Sequence, residues 1–147
     1  MRIRSFQDED LEALCEIDRI CFPEDTAFTR AEFAWHVAHP QSITRVGEGL
    51  CKILGFVIAR MEMPSFAHII TLDVIPEARN HNIGTSLMKR LHRELKNKGI
   101  EMAILEVSTG NSPAQRLYEK LHYRYFETLA GYYGGREDAY RMACLLD

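Results

Sequence analysis

The stretch "VIPEARNHNIGTSLMKRLHRELKNKG" restricts the fold more than any other part of the chain. An apolar run breaks at Pro76 and a polar loop follows; Ile83, Leu87, Leu91 and Leu95 then recur every fourth position as far as Gly99. That period places the four on one face of a helix over about 83–98, and so apolar a face must be buried against a sheet or another helix. Gly99 supplies the C-terminal stop. The next apolar run, "MAILEV", reads as a buried strand. Ser112 and Pro113 then open a helix with Ala114, Leu117, Tyr118 and Leu121 on one face. Strand, helix, strand and helix in succession predict an α/β domain.

The rest of the chain completes the order. A short strand at Ile3 leads to a helix in which Leu11, Leu14, Cys15 and Asp18 share a stripe; the first three need a core, and the helix ends before Pro23. Thr29 and Glu32 have capping-box spacing and start a second helix, which carries Phe33 and Val37 and stops near Pro40. Trp35 is expected to pack under it. "SITRV", "GEG" and "LCKILGFVIARM" read as a hairpin with glycines in the turn, and "AHIITLDVI" follows as another strand. Strands at about 123–129 and 139–145 flank the turn-rich "AGYYGGRED". The predicted order is β-α-α-β-β-β-α-β-α-β-β with a mixed sheet. At 147 residues, with no linker or repeat, the chain reads as a single domain, 1–147.

A formal charge of -3 gives no general attraction to nucleic acid, so any anion site has to be local. Cys15, Cys21, Cys51 and Cys144 show neither CxxC spacing nor pairing with histidines, so no metal site is expected and all four read as buried thiols. The N-terminal residues hold no apolar run long enough for a signal peptide or membrane span, which predicts a cytoplasmic protein with no membrane partner.

Three features carry chemistry. "RNHNIGT" (79–85) sets a cation, two asparagines and a glycine where a helix N-terminus leaves its first amides unpaired, which suits a phosphate; it also suits an ordinary strand-to-helix turn. Neither a GK[ST] ending nor a full GxGxxG is present, which argues against nucleoside triphosphates and NAD. Glu106 lies among apolar residues in "MAILEV". If buried, its pKa should rise and make it a general base near neutrality; if the strand ends there, it meets water. Asp73 in "TLDVI" is a rival base or a structural acceptor. Tyr118 is the third feature, with plain core packing as its alternative. The six histidines show no HxxxH or His–carboxylate spacing and read as solvated or capping groups. No Gly-x-Ser-x-Gly elbow exists, and no cysteine lies near the loop or Glu106, so no covalent nucleophile is evident.

These pieces match a known family. "LDV" followed by "RNHNIGTSLM" resembles the acetyl-CoA motif of the GNAT N-acetyltransferases, [RQ]xxGx[GA] after a strand, and "LEVSTGNSPAQRLYEKLHY" resembles the LEVxxxNxxAxxLYxKLGF of RimI-like N-terminal protein acetyltransferases. The likeness covers essentially the whole chain, including "CFPED" and "GYYGGREDAYRM". It implies the GNAT fold, a mixed and mostly antiparallel sheet with helices on both faces, and acetyl transfer from acetyl-CoA. In that resemblance Leu72, Asp73 and Val74 contact the pantetheine arm and thioester through their backbone. Arg79 opens the pyrophosphate loop, and Asn80, His81, Asn82, Ile83, Gly84 and Thr85 wrap the pyrophosphate through main-chain amides. Asn111 binds the coenzyme, Glu106 is the general base and Tyr118 the acid for the leaving thiolate; Tyr132 and Tyr133 hold the acceptor peptide. Two departures stand out: Asn82 replaces the first motif glycine and His122 the glycine of "KLGF". The implied acceptor is a protein N-terminal α-amine, with a ribosomal protein as one candidate. A small amine, a lysine side chain, or a non-catalytic acyl-CoA-binding module are the alternatives.

Overall fold

The computed structural model describes residues 1–62 and 64–147. Its strands are β1 (Arg2–Ser5), β2 (Ser42–Gly49), β3 (Lys52–Glu62), β4 (Phe66–Val74), β5 (Met102–Ser108), β6 (Arg124–Tyr133) and β7 (Glu137–Leu145). Its helices are α1 (Leu11–Cys21), α2 (Arg30–Ala38), α3 (Ile83–Asn97) and α4 (Ser112–Lys120). The order agrees with the one read from the sequence. Among the described residues the strands form one seven-stranded sheet, β1-β2-β3-β4-β5-β7-β6, in which β4 and β5 are parallel and all other neighbours antiparallel.

Period-two alternation puts the helices on both faces. A Cβ at Gly47 would lie 3.7 Å from Leu87 of α3, whereas Phe56 stacks edge-on against Phe33 of α2, with ring centroids 5.8 Å apart. Gly47 pairs with Gly55, the residue before Phe56, so α3 and α2 cover opposite faces. Leu87, Met88, Leu91 and Leu95 of α3 are completely buried, each contributing about 1.5–3 kcal/mol of hydrophobic stabilisation. The capping box of α2 is formed: Thr29 Oγ1 accepts from the Glu32 amide at 3.1 Å, and the Glu32 carboxylate accepts from the Thr29 amide at 2.9 Å. Gly99 ends α3 with φ +85°.

Several local expectations are corrected. The β2–β3 turn is made by Leu50 and Cys51, both left-handed (φ 55° and 61°), as a two-residue hairpin requires, while "GEG" belongs to β2 at a register shift. Cys51 is therefore exposed; Cys15 and Cys144 are buried and Cys21 is half-buried. Trp35 is 57% exposed, lying against His36, His39 and the Arg60 guanidinium, because Phe33 takes the inward position of α2. Asp18, expected to need no core, is as buried as the apolar residues of its stripe. Asn111 rather than Ser112 caps α4, its side chain accepting from the Ala114 amide at 3.2 Å. The last two strands run closer together than expected, so Tyr132 and Tyr133 end β6 instead of lying in the turn. No helix among the described residues is long and apolar enough to cross a membrane.

Gly84, in the first turn of α3, is buried, and a Cβ there would stand 3.2 Å from Leu117 of α4 and 3.6 Å from Leu72 of β4. Its place is thus a close approach of three elements. Gly84→Val should lower stability by about 1–3 kcal/mol through overpacking, whatever else it does. Thermal denaturation checks this, and a wild-type midpoint in the variant would contradict it.

Candidate active site

β4 and β5 pair at Phe66–Met102, Ala67–Ala103 and His68–Ile104 and then separate. The outer ladders hold each strand beyond that point, β3 pairing with β4 as far as Val74 and β7 with β5 as far as Ser108. A bulge in β4 at Ile70, where the register passes from Ala59–Ile69 to Ile58–Thr71, adds local twist. Between the separated ends lies a cavity of about 360 Å³, walled by residues 69–72 of β4 and 105–108 of β5 and by Tyr118, Asn111 and Tyr133.

Glu106 projects from β5 with its side chain 5% exposed. Its Oε1 is 2.5 Å from His68 Nε2 and accepts from the Tyr132 hydroxyl at 3.3 Å; its Oε2 accepts from Arg141 Nε at 2.9 Å. Arg141 also bridges to Glu127 at 2.7 Å. Burial pushes the Glu106 carboxyl up, but hydrogen bonds and charge from His68 and Arg141 outweigh it and hold the group below the usual carboxylate range. The expected raised pKa is therefore replaced by an ionised carboxylate in a paired cluster. Asp73, the rival base, is 1% exposed, and its Oδ1 accepts from the Thr71 hydroxyl at 2.5 Å; so enclosed a group has no path to an acceptor amine.

Tyr118 faces the cavity from α4 and is 8% exposed. Burial, and then the charge of Asp73, push its phenol well above the ordinary tyrosine value, so it stays protonated and can donate. Tyr132 and Tyr133 stack edge-on, 5.0 Å apart, Tyr132 over the Glu106 cluster and Tyr133 on the cavity wall. The tip of the β6–β7 hairpin is tied to the α1–α2 connection by the Arg136–Asp25 ion pair.

The loop before α3 adopts left-handed backbone at Asn80 (φ 65°) and Asn82 (φ 60°), the conformation that lets asparagine stand in for a motif glycine. His122 takes the same conformation (φ 72°) at the exit of α4. Asn82 is the N-cap without a side-chain cap bond, and the first helical amide to find a carbonyl is Ser86, bonded to Asn82 at 3.0 Å. The amides of Ile83, Gly84 and Thr85 precede it at the helix N-terminus, and the first turn carries no acid, a donor set that fits a pyrophosphate. The side chains of this loop serve the loop itself. Arg79 Nε donates to the Val74 carbonyl at 3.1 Å, and His81 Nδ1 lies 2.8 Å from the Arg79 carbonyl. Any anion here meets backbone, not the Arg79 or His81 side chains as they stand.

Of the residues singled out in the sequence, Leu72, Glu106, Asn111, Tyr118 and Tyr133 line the cavity, whereas Asp73, Val74, Tyr132 and residues 79–85 are not among its lining residues. His68 and Arg141 escaped the sequence reading. Arg141 is the cross-strand partner of Glu106, and His68 pairs with Ile104, two residues before Glu106 on the same face. Only the strand register makes them neighbours.

The family model described as "Acetyltransferase (GNAT) family" matches residues 11–123. An N-alpha-acetyltransferase of Sulfurisphaera tokodaii is 29% identical over 157 residues, covering 99% of this chain and 93% of its own. The catalytic subunit of the N-terminal acetyltransferase A complex of Arabidopsis thaliana is 30% identical over 146 residues, covering 95% and 75% respectively. The crystal structure of the ribosomal-protein-S18-alanine N-acetyltransferase from Escherichia coli superposes with a TM-score of 0.89 at 26% identity, over 99% of this chain and 94% of that one. The matched residues take in the two separated strands, the loop and the helices that build the cavity, and the chain belongs to the GNAT acetyltransferase family.

Proposed function

We propose that this chain transfers an acetyl group from acetyl-CoA to the α-amine of a protein or peptide N-terminus. The observation that carries the reading is the pairing, in one cavity, of an ionised carboxylate at Glu106 with a protonated phenol at Tyr118. Acylation of an amine needs both: the incoming ammonium gives one proton to a base before it attacks and a second as the amide forms, and the departing sulfur gains one from an acid. Acetyl-CoA supplies the activated acetyl thioester. In this reading the backbone of Leu72, Asp73 and Val74 lines the path of its pantetheine arm, the amides of residues 80–85 after Arg79 hold its pyrophosphate, and Asn111 stands beside it.

The state of Glu106 bears on the acceptor. A carboxylate held below its ordinary range takes a proton weakly, which suffices for an α-amine, with a pKa of about 7.7–8.0, and poorly serves a lysine at about 10.4. His68 Nε2, 2.5 Å from Oε1, holds the Glu106 carboxylate in place as the amine approaches. Tyr118 gives its proton to the sulfur and is restored by the second proton that the acceptor nitrogen sheds as the amide forms. Tyr132 and Tyr133, at the mouth beside Glu106, are the residues in reach of an acceptor peptide's backbone. The names of the relatives, which act on protein N-termini, support the same acceptor class. A ribosomal-protein N-terminus, the acceptor named for the Escherichia coli structure, is the specific candidate.

Steady-state kinetics test the roles. Glu106→Gln should lower kcat by roughly 10²- to 10⁴-fold with little change in the KM for acetyl-CoA, and Tyr118→Phe should also lower kcat. His68→Gln should cost less than Glu106→Gln, since the first acceptor remains. Full activity in Glu106→Gln would remove that residue from the chemistry.

Arg141 sets the pH response. Arg141→Gln removes a cation that favours ionised Glu106, so the acid limb of the kcat/KM profile should move to higher pH. An unmoved limb would mean that Glu106 does not titrate in the reaction.

The acceptor is tested with peptides. Transfer should occur to a free α-amine and vanish when that amine is blocked, even with an internal lysine present; Tyr132→Ala and Tyr133→Ala should raise the peptide KM and spare that of acetyl-CoA. Acetylation of the lysine in the blocked peptide, or preference for a small polyamine, would overturn the α-amine assignment and leave the acetyltransferase.

A further inference from the structure

Where α1 meets β4, with Asp18 in the cavity wall and Asp73 beneath it, two carboxyls take no part in the chemistry above. Asp18 and Asp73 are each 1% exposed. Each has one oxygen engaged: Asp18 Oδ2 accepts from the Phe28 amide at 2.7 Å, and Asp73 Oδ1 accepts from the Thr71 hydroxyl at 2.5 Å. The second oxygen of each, Asp18 Oδ1 and Asp73 Oδ2, is buried with no donor among the described residues. The end of α1 is seated on β4 at this point, the thiol of Cys21, three residues after Asp18, donating to the carbonyl of Val74, the residue after Asp73, at 3.4 Å, and Asp18 is near enough to push the Asp73 carboxyl up. Two ionised carboxylates so placed repel each other in a medium that solvates neither, and each orphaned oxygen adds its own desolvation cost. A single proton removes both penalties, since an O–H on one orphaned oxygen donates to the other.

We propose that Asp73 keeps its proton and donates it from Oδ2 to Asp18 Oδ1, and that this acid–carboxylate pair is a positioning element that fastens the cavity wall at Phe28 to β4. That proton closes a chain whose other links are in place: the Thr71 hydroxyl donates to Asp73, and Asp18 accepts from the amide of Phe28, whose ring lines the cavity and packs on Phe33 at 5.3 Å. The pair retains one negative charge beside Tyr118. The other groups that face it are Arg79 from the loop before α3 and Cys21 from the end of α1. Burial first, and then Asp18, push the Asp73 carboxyl up, against smaller opposing effects of the Thr71 hydroxyl and Arg79. A carboxyl raised in the folded state adds stability that is complete below its unfolded value of about 3.9 and is lost as pH rises through the folded value.

The test uses the whole chain. With aspartate carboxyl carbons labelled, one resonance of the wild type should keep its protonated shift at pH 7 and be missing from Asp18→Asn, in which the amide becomes the donor and Asp73 the acceptor. Asp18→Asn should also gain thermal stability relative to wild type as pH rises from about 4 toward 8, because Asp73 no longer has to retain its proton. In acetyl transfer, Asp18→Val removes the anchor of Phe28 and should raise the acceptor KM by about fivefold or more, and Asp18→Asn should recover most of that loss. The transfer arm rests on the function proposed above; the spectrum and the melting curves do not, so failure of one is distinguishable from failure of the other. All aspartates ionised at pH 7, or Asn and Val variants equally impaired in transfer, would overturn the proposal. Should Asp18→Val fail to fold, the wild-type spectrum still decides.

Discussion

The point at which β4 and β5 stop pairing governs the rest of this structure. Parallel strands in the middle of a sheet normally satisfy each other's backbone along their whole length, and here the ladder lasts for three residue pairs. Beyond His68 and Ile104 the facing edges are no longer hydrogen-bonded to each other, a state that an apolar interior would penalise and that an open cleft permits. The parting is sustainable because β3 and β7 hold the outer edges, so the two halves of the sheet diverge without either losing its own support. The cavity opens there, at the C-terminal ends of two central strands, with Glu106 and Tyr118 in its wall.

Within that cleft the acids and phenols differ in state because they differ in partners. Glu106 is enclosed but meets a histidine, an arginine and a phenol, and attraction outweighs burial. Asp73 is fully enclosed and meets another carboxyl, and burial prevails. Tyr118 is enclosed beside that charge and keeps its proton. An ionised group and a protonated one therefore face one cavity at the same pH, which is the arrangement that acid–base catalysis needs.

The acceptor side depends on a closure distant in the chain. The α1–α2 connection and the β6–β7 hairpin meet through Asp25 and Arg136, and the aromatic end of β6 lies over Glu106. An exposed ion pair of this sort contributes little energy, so the hairpin's position rests chiefly on its own ladder and on Tyr133 packing into the cavity wall.

The sequence by itself determined what depends on local chemistry or on period: the element order, the buried face of α3, the capping box at Thr29 and Glu32, the stop at Gly99, and a loop whose asparagines accept left-handed backbone. Glu106 and Tyr118 were legible as well, because a polar group in an apolar strand or helix face stands out against its immediate neighbours, whereas Tyr133 was singled out only through the family resemblance. Tertiary structure alone decided their partners and hence their protonation. His68 is 38 residues from Glu106 and Arg141 is 35, separations at which no spacing rule operates, and the contacts exist only because strand register brings those faces together. The same holds for Asp18, whose helical stripe told of a buried direction but not that an aspartate waited there on β4. Charge state is a property of the three-dimensional neighbourhood, since desolvation and Coulomb terms fall off with distance in space and are blind to distance along the chain.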